Sequence, residues 1–264
     1  MVDFRGASAG AVAALTDQLK ATGASEGLAS ELYSVAGLLR HDPALRRFLA
    51  DPTVATEAKT GLVAQVFDGK VGAGTAAVLK GIAEQRWTGA RDVANAAERL
   101  SEIASVLSAG DHRALCDELF VIGRTVNGNP ELRDALSDPN RSDADKASLL
   151  EGVFASASPA ARALVAQSLD GSYGTVSKAL EAYRRLAAEV NGEGIATVTV
   201  AAPLTTEHAS RLEAALAAIY KRPIHTNTVV DAALLGGVKV EVGDDVIDGT
   251  IATRLDNAGR LLAG

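Results

Sequence analysis

The sequence predicts a mainly α-helical protein, with a duplicated N-terminal helical bundle followed by a small α+β C-terminal domain. Alanine and leucine recur at helical spacing through most of the 264 residues. A stretch that begins at Glu31 returns at Glu118, and the apolar spacing becomes alternating after Val190. We therefore divide the chain into residues 1–110, 111–190 and 191–264.

Six helices are predicted in the first bundle, because each apolar stripe is bounded by a capping residue, a proline or a glycine. In order, they are a helix through Val12, Leu15 and Leu19, then Ser25–Arg40, Pro43–Ala50, a helix that starts at Thr53 or Thr56, one that follows Gly74, and Gly89–Leu107.

The second bundle is predicted from an internal duplication. A shift of 87 residues aligns Glu31 with Glu118 without gaps. Polar and helix-ending residues match as well as apolar ones, and they are Pro43 with Pro130, Arg46 with Arg133, Asp51-Pro52 with Asp138-Pro139, and Lys59 with Lys146. Chance similarity between two Ala- and Leu-rich helices would match apolar positions only. The match continues beyond Trp87 with a one-residue slip, so that Trp87 meets Tyr173.

The C-terminal segment predicts a small sheet with two helices. Its elements are strand Ile195–Ala201, a helix from Thr205 or Thr206 to about Tyr220, strands Pro223–Val230, Leu235–Val242 and Val246–Asp248, a turn at Gly243–Asp245, and a closing helix Thr250–Leu262.

Composition and motifs argue against several function classes. A net charge of -7 argues against nucleic-acid binding. The single cysteine, Cys116, is expected to be a buried apolar residue in a reducing compartment. No apolar run approaches the roughly 20 residues of a membrane helix, and the N-terminus lacks a signal-peptide pattern. We expect a soluble chain that reaches a membrane only through a partner.

No catalytic constellation is found. Gly6–Gly10 (GASAG) spells a nucleophile elbow but lacks the preceding strand, so Ser8 is expected to cap a helix. Gly69-Lys70 lacks the rest of a phosphate loop. The acidic spacing in Gly243–Gly249 does not fit a calcium loop, and the histidines have no partners at ligand spacing. We expect no cofactor and no metal, and an interaction protein is favoured over an enzyme.

The segment LLGGVKVEVGDDVIDGTIATRLDNAGRLL carries a resemblance. Its Leu235-Gly236-Gly237, Gly243-Asp244, Ile247-Asp248-Gly249-Thr250 and Arg254-Leu255 resemble the C-terminal signature of the delta subunit family of bacterial ATP synthase, the counterpart of the mitochondrial oligomycin-sensitivity-conferring protein. Family members usually have one bundle, whereas this chain has the bundle pattern twice. It is similar to an enlarged delta subunit, a type that can be fused behind a b-like membrane segment, which is absent from this sequence.

The resemblance implies a non-catalytic stator subunit. The family's bundle holds the N-terminal helix of one alpha subunit, and its C-terminal domain holds the ends of the b subunits. The implied place is the cytoplasmic face of the cell membrane, within a hetero-oligomeric complex and without direct insertion. The other hypotheses are a helical-repeat adaptor in another assembly and an enzyme with an unrecognised site.

Candidate contact residues follow from this reading. The groove for the alpha-subunit helix is predicted in the first bundle, between one helix carrying Val12, Leu15 and Leu19 and another carrying Val78, Leu79 and Ile82. The alternative is that these six residues are intramolecular core, and most of them must be. Which bundle contacts which partner is left open.

The glycines of the C-terminal signature are expected to shape the domain, not to bind a ligand. Gly236 and Gly237 predict close backbone approach or a bulge. Gly243 belongs to a turn, and Gly249 predicts either positive φ or close packing. Asp248 is placed to cap the closing helix, so Asp248→Ala is expected to weaken it.

Overall fold

The computed structural model describes residues 4–251 and 253. Within this part the helices are α1 (Ala7–Thr22), α2 (Glu26–His41), α3 (Pro43–Ala50), α4 (Thr56–Phe67), α5 (Ala73–Glu84), α6 (Ala90–Ser108), α7 (His112–Gly128), α8 (Pro130–Ser137), α9 (Asp143–Val153), α10 (Pro159–Gln167), α11 (Val176–Val190) and α12 (Thr206–Tyr220). The strands are β1 (Gly194–Val200), β2 (Ile224–Val230), β3 (Val238–Val242) and β4 (Asp245–Asp248).

Several helices begin at capping residues that can be predicted from the sequence. Ser25 Oγ accepts the backbone N–H of Leu28 at 3.2 Å and caps α2. Asp42 caps α3, with Pro43 at the first helical position where no N–H is needed. Helix α4 starts at Thr56, the second of the two predicted positions.

One predicted cap is wrong. Gly6, not Ser8, precedes α1, and no side chain caps that helix. Ser8 is fully buried, and its hydroxyl donates to Asp92 Oδ2 at 2.7 Å. Its hydroxyl oxygen also accepts the backbone N–H of Thr88 at 2.8 Å. Ser8 therefore ties the start of α1 to the start of α6.

The duplicated bundle predicted from sequence is confirmed, because α7–α11 repeat the order of α2–α6. The repetition extends to hydrogen bonds. Asn129 caps α8 as Asp42 caps α3, each followed by proline. After these helices, Asp51 accepts the N–H of Thr53 at 2.8 Å, and Asp138 accepts that of Asn140 at 2.8 Å.

Helix α6 is central to the helical unit. Side chains on several of its faces are buried, and α1, α2 and α3 of the first repeat pack on it. Helices α7 and α10 of the second repeat also contact it. The helical unit ends at Ala187, and the C-terminal unit begins at Ala188. The division of the helical unit at residue 110 stays a prediction.

The C-terminal unit is a four-stranded sheet in the order β2-β1-β3-β4. Strand β1 is parallel to β2 and antiparallel to β3, and β3 and β4 form a hairpin. One face of the sheet packs on α12, and the buried side chains there are Ala196, Val198, Val200, Leu216, Ile224, Val240 and Val242. This agrees with the predicted α+β domain.

The start of the third strand differs from the prediction. Strand β3 begins at Val238 instead of Leu235, because Gly236 and Gly237 have φ of 142° and 86°, which an extended strand does not allow. Most of the predicted closing helix, Thr250–Leu262, lies outside the described residues. In the part of the chain that is described, no helix combines the length and apolar character needed to cross a bilayer.

Candidate functional site

The six predicted groove residues lie at the contact of α1 and α5, but mostly in its interior. Five of the six are at most 3% exposed, and these are Leu15, Leu19, Val78, Leu79 and Ile82. Val12 is half-buried. The other interpretation of these residues, intramolecular core, therefore describes these five, and a partner helix would have to contact their neighbours.

Those neighbours form an outer seam with a glycine at its base. A Cβ added to Gly81 would lie 2.7 Å from Leu15 Cδ2 and 3.1 Å from Gln18 Oε1, so α1 and α5 approach closely only because residue 81 lacks one. Ala77 lies one turn before Gly81, and Ala14 one turn before Gln18. Both alanines are exposed, and Gln18 is half-buried. We call Ala14, Gln18, Ala77 and Gly81 the α1–α5 seam.

The second repeat contains the counterpart of this seam between α6 and α10. Helix α10 packs on α6 as α5 packs on α1. At a shift of 86 residues, the one that aligns Trp87 with Tyr173, Leu15 corresponds to Ser101 and Gly81 to Gln167. Ser101 Oγ donates to Gln167 Oε1 at 3.2 Å, so a polar contact replaces the apolar one at the same place. Helix α6 thus also serves as the leading helix of the second repeat, which the sequence analysis missed.

Helix α2 covers this second seam. The hydroxyl of Tyr33 donates to the backbone carbonyl of Gln167 at 3.3 Å. Arg40 Nη1 lies 2.9 Å from Glu98 Oε2, and its Nη2 lies 3.6 Å from Asp170 Oδ2. Equivalent positions of the two seams therefore differ in burial. Ala14 of the first seam is exposed, whereas its counterpart Leu100 is 0% exposed.

A groove occurs at the same place in each repeat, but α2 borders only the groove of the second repeat. A groove of about 290 Å³ between α4 and α5 is lined by Val63, Phe67 and Ala77, among others. Its counterpart between α9 and α10, of about 320 Å³, is lined by Phe154 and Ala163 and also by Glu26 from α2. The N-terminal end of α2 thus borders this groove, and Tyr33 in the middle of the helix contacts the end of α10.

Two buried carboxylates lie at the joint between the repeats. Glu98 is 2% exposed, and its Oε1 accepts the backbone N–H of Ser172 at 2.7 Å. Glu102 is 1% exposed, and its Oε2 accepts the hydroxyl of Tyr173 at 3.0 Å. Burial raises the pKa of Glu102 to about 7, and the attraction of Arg99 only partly opposes this.

The signature glycines allow two backbone segments to touch. A Cβ on Gly237 would lie 2.5 Å from the carbonyl oxygen of Gly249 and 2.7 Å from Thr250 Cα. One on Gly249 would lie 3.2 Å from Val238 O, and Gly249 does not have positive φ, so close packing is its role. Gly243, with φ of 61°, forms the turn between β3 and β4.

Asp248 orders the residues that follow β4. Its Oδ1 accepts the backbone N–H of Thr250 at 2.9 Å, and its Oδ2 accepts the hydroxyl of Thr253 at 2.8 Å. These hydrogen bonds, led by the one from the Thr250 backbone, lower the pKa of Asp248. Thr250 Oγ1 itself accepts the N–H of Thr253 at 3.3 Å, which is the geometry of an N-cap. Asp248 therefore supports the cap residue instead of being it.

The described residues contain no cluster of three or more His, Cys, Asp or Glu side chains able to hold a metal ion. Comparison with known proteins gives a match to one family. The model of the "ATP synthase delta (OSCP) subunit" family matches twice, over residues 11–106 and 94–262. The chain belongs to the ATP synthase delta (OSCP) subunit family. The second match begins inside α6, in agreement with the role of that helix as the leading element of the second repeat.

Three relatives of this delta-family chain match it over most of their own length. It is 47% identical to ATP synthase subunit delta of a Nocardioides strain, over 99% of this chain and 98% of the relative. The identity is 39% to that of Streptomyces coelicolor, over 100% of both chains, and 41% to that of Kineococcus radiotolerans, over 94% and 92%. The enlarged form is therefore shared with other delta subunits.

A solved structure is similar at a greater distance. A chain of the Toxoplasma gondii mitochondrial ATP synthase hexamer is 12% identical, over 80% of this chain and 99% of that one, with a TM-score of 0.34.

The C-terminal unit of this delta-family chain exposes apolar side chains beside its signature. Val246 and Ile247 of the edge strand β4 are 57% and 42% exposed. Leu235 is 77% and Ile251 43% exposed, on either side of the Gly236 carbonyl that accepts the N–H of Ile251 at 3.0 Å. The helical spacing of the closing segment predicts that Ile251 faces inward, but its side chain is exposed, so that prediction is wrong. Sequence periodicity did not predict the exposure of the other three residues, because alternation marks the face that is buried in the domain.

Proposed function

We propose that this delta-family chain is a peripheral-stalk subunit of a proton-translocating ATP synthase. In this role it links the catalytic head to the b subunits and resists rotor torque, without catalysing a reaction. Membership of the family supports the assembly. A chain whose described residues form helix-packing surfaces and close backbone contacts suits a mechanical link.

The head is bound by the first repeat, through the N-terminal helix of one alpha subunit lying in the α1–α5 seam. One observation carries this assignment. The equivalent seam of the second repeat is covered by a helix, α2, which contacts both α6 and α10. A seam of this geometry therefore accommodates a helix, and in the first repeat its edge residues Ala14 and Ala77 are exposed.

The C-terminal unit binds the ends of the b subunits. The exposed apolar side chains of Val246, Ile247 and Ile251 support this assignment, because they give an amphipathic partner helix area to bury. The complex then places the chain at the cytoplasmic face of the cell membrane as a peripheral component, and no segment of it needs to enter the bilayer.

The test is binding of two purified fragments to the full chain. A peptide of the alpha-subunit N-terminal helix and a C-terminal fragment of the b subunit should each bind, and Ala77→Arg should weaken only the first by at least about tenfold. Ala163→Arg, the equivalent change in the second repeat, is the control. Binding of neither fragment would refute the stalk function and favour an adaptor in another assembly.

Deletion of the first repeat, residues 1–107, would be a less specific test of head binding than these point variants. That deletion would take away most of α6, whose Ser101, Glu102 and Ser105 contact the second repeat or the residues that precede α11. A loss of binding after the deletion would then mix two causes, whereas Ala77 is an exposed position whose replacement leaves the core intact.

A further inference from the structure

We propose that α2 is an internal ligand of the second repeat, so that the duplicated unit offers one helix-binding seam and not two. The contacts of α2 with the second repeat lie within the chain. The number of seams open to the alpha-subunit helix rests on the proposed function.

Helix α6 is shared by the two repeats. As the last helix of the first repeat, α6 packs along α2. As the leading helix of the second, it packs against α10 and forms the counterpart of the α1–α5 seam. One helix with both roles brings α2 directly onto the second seam, and a partner from outside could enter only by displacing it.

The contacts of α2 with this seam include polar groups that are specific to it. Arg40 lies between Glu98 and Asp170, with a side chain 21% exposed. At the shift of 86, the counterparts of these two acids in the first repeat are Val12 and Glu84. The first seam therefore lacks the pair of carboxylates that bind Arg40 in the second seam. A partner helix that binds to the first seam is recognised through other contacts.

Tyr33 adds a second fixed point. Its hydroxyl bonds to the carbonyl of Gln167, the last residue of α10, where a helix leaves carbonyl groups without intrahelical partners. Arg40 also lies over the ring of Tyr33, 5.7 Å from its centre. The two residues are two turns apart on α2, so they form one continuous contact stripe facing the second repeat.

The closure is tested first without any partner. Hydrogen exchange of α10 should become at least about tenfold faster in the double variant Tyr33→Phe/Arg40→Ala, because lost charge-assisted hydrogen bonds favour local opening. Exchange of α5, the equivalent helix, should not change. Arg47→Ala, an exposed arginine on α3, is the matched control. Unchanged exchange in α10 would overturn the proposal, whatever the partner does.

The count of seams is tested by titration calorimetry of the full chain with the alpha-subunit N-terminal peptide. One peptide should bind per chain, with Ala77→Arg abolishing binding and Ala163→Arg leaving it unchanged. Two bound peptides, or loss through Ala163→Arg, would overturn the proposal. Absence of binding in the wild type would refute the proposed function instead, and the exchange experiment would still decide whether α2 closes the second seam.

Discussion

The carboxylate of Glu118 accepts both the backbone N–H and the hydroxyl of Ser158, the residue that caps α10. In the first repeat, Glu31 accepts the backbone N–H of Gly72 at 2.9 Å and the hydroxyl of Thr75 at the start of α5. The duplication has thus preserved a tertiary contact, in which a glutamate from α2 or α7 fixes the start of a helix about 40 residues later.

This contact predicts equal roles for the two glutamates. Glu31→Ala and Glu118→Ala should each lower the free energy of unfolding by about 1–2 kcal/mol, because each leaves an N–H at a helix start without its acceptor. Urea denaturation measures the effect. Glu151→Ala, at an exposed position of α9, should change stability by less than about 0.5 kcal/mol. An effect confined to one repeat would contradict the equivalence.

The close approach of α1 and α5 predicts opposite outcomes for one replacement at two glycines. Gly81→Leu should destabilise the helical unit by about 1–3 kcal/mol, because the added side chain meets the buried Leu15. Gly61→Leu in α4 should stabilise it by about 0.5–1 kcal/mol, since a Cβ there meets nothing within 4 Å and leucine favours a helix. Thermal unfolding compares them, and a stabilising Gly81→Leu would show that the helices need no such proximity.

Glu102 predicts a fall in stability on the alkaline side. Burial raises its folded-state pKa above the ordinary 4.5 to about 7, although Arg99 and the hydroxyl of Tyr173 favour the charged form. Its contribution is fully present below about pH 4.5 and is lost as pH rises through about 7. Across that window it amounts to at most about 3 kcal/mol.

The check is denaturant unfolding of the wild type and of Glu102→Gln at a series of pH values. The variant should lack the fall and should be the more stable protein at alkaline pH. Glu84→Gln, on the exposed side of α5, should keep the wild-type profile. Parallel profiles for the wild type and Glu102→Gln would show that Glu102 stays charged in the native protein.

Alanine replacements at two signature glycines should destabilise the C-terminal unit to different extents. Gly243→Ala should cost about 1–2 kcal/mol, because its φ is positive although a Cβ would meet nothing within 4 Å. Gly237→Ala should cost about 3 kcal/mol or more, because strain of the same kind adds to a backbone clash with Gly249 and Thr250. Hydrogen exchange of β3 and β4 reports on both, and equal costs would refute the close approach.

The hydrogen bonds of Asp248 predict that its contribution to stability depends on pH. Its hydrogen bonds from Thr250 and Thr253 lower its pKa, so its stabilising contribution is present above pH 3.8 and is lost as pH falls through the lower folded value. Asp248→Asn should therefore reduce the melting temperature near neutral pH and match the wild type in strong acid. Identical melting temperatures at neutral pH would argue against the role.

The sequence by itself determined the helices, the duplication and the kind of C-terminal domain. These properties depend on residues close in the chain, since caps at Ser25 and Asp42 and apolar stripes act over one or two turns. The signature glycines were located for the same reason. The open seam was not, because an apolar stripe such as Leu15 and Leu19 marks the face that becomes buried, and the residues left exposed beside it are small alanines.

Only the tertiary structure decided that α6 belongs to both repeats and that α2 covers the second seam. At the decisive positions Leu15 and Gly81 are replaced by Ser101 and Gln167, so the geometry is kept while the apolar pattern is lost. Contacts between residues distant in the chain, such as Arg40 with Glu98, decide which face of a helix packs against which partner. A local sequence pattern does not encode the combined energy of these contacts. The asymmetry between two similar repeats is therefore a property of packing, not of either repeat alone.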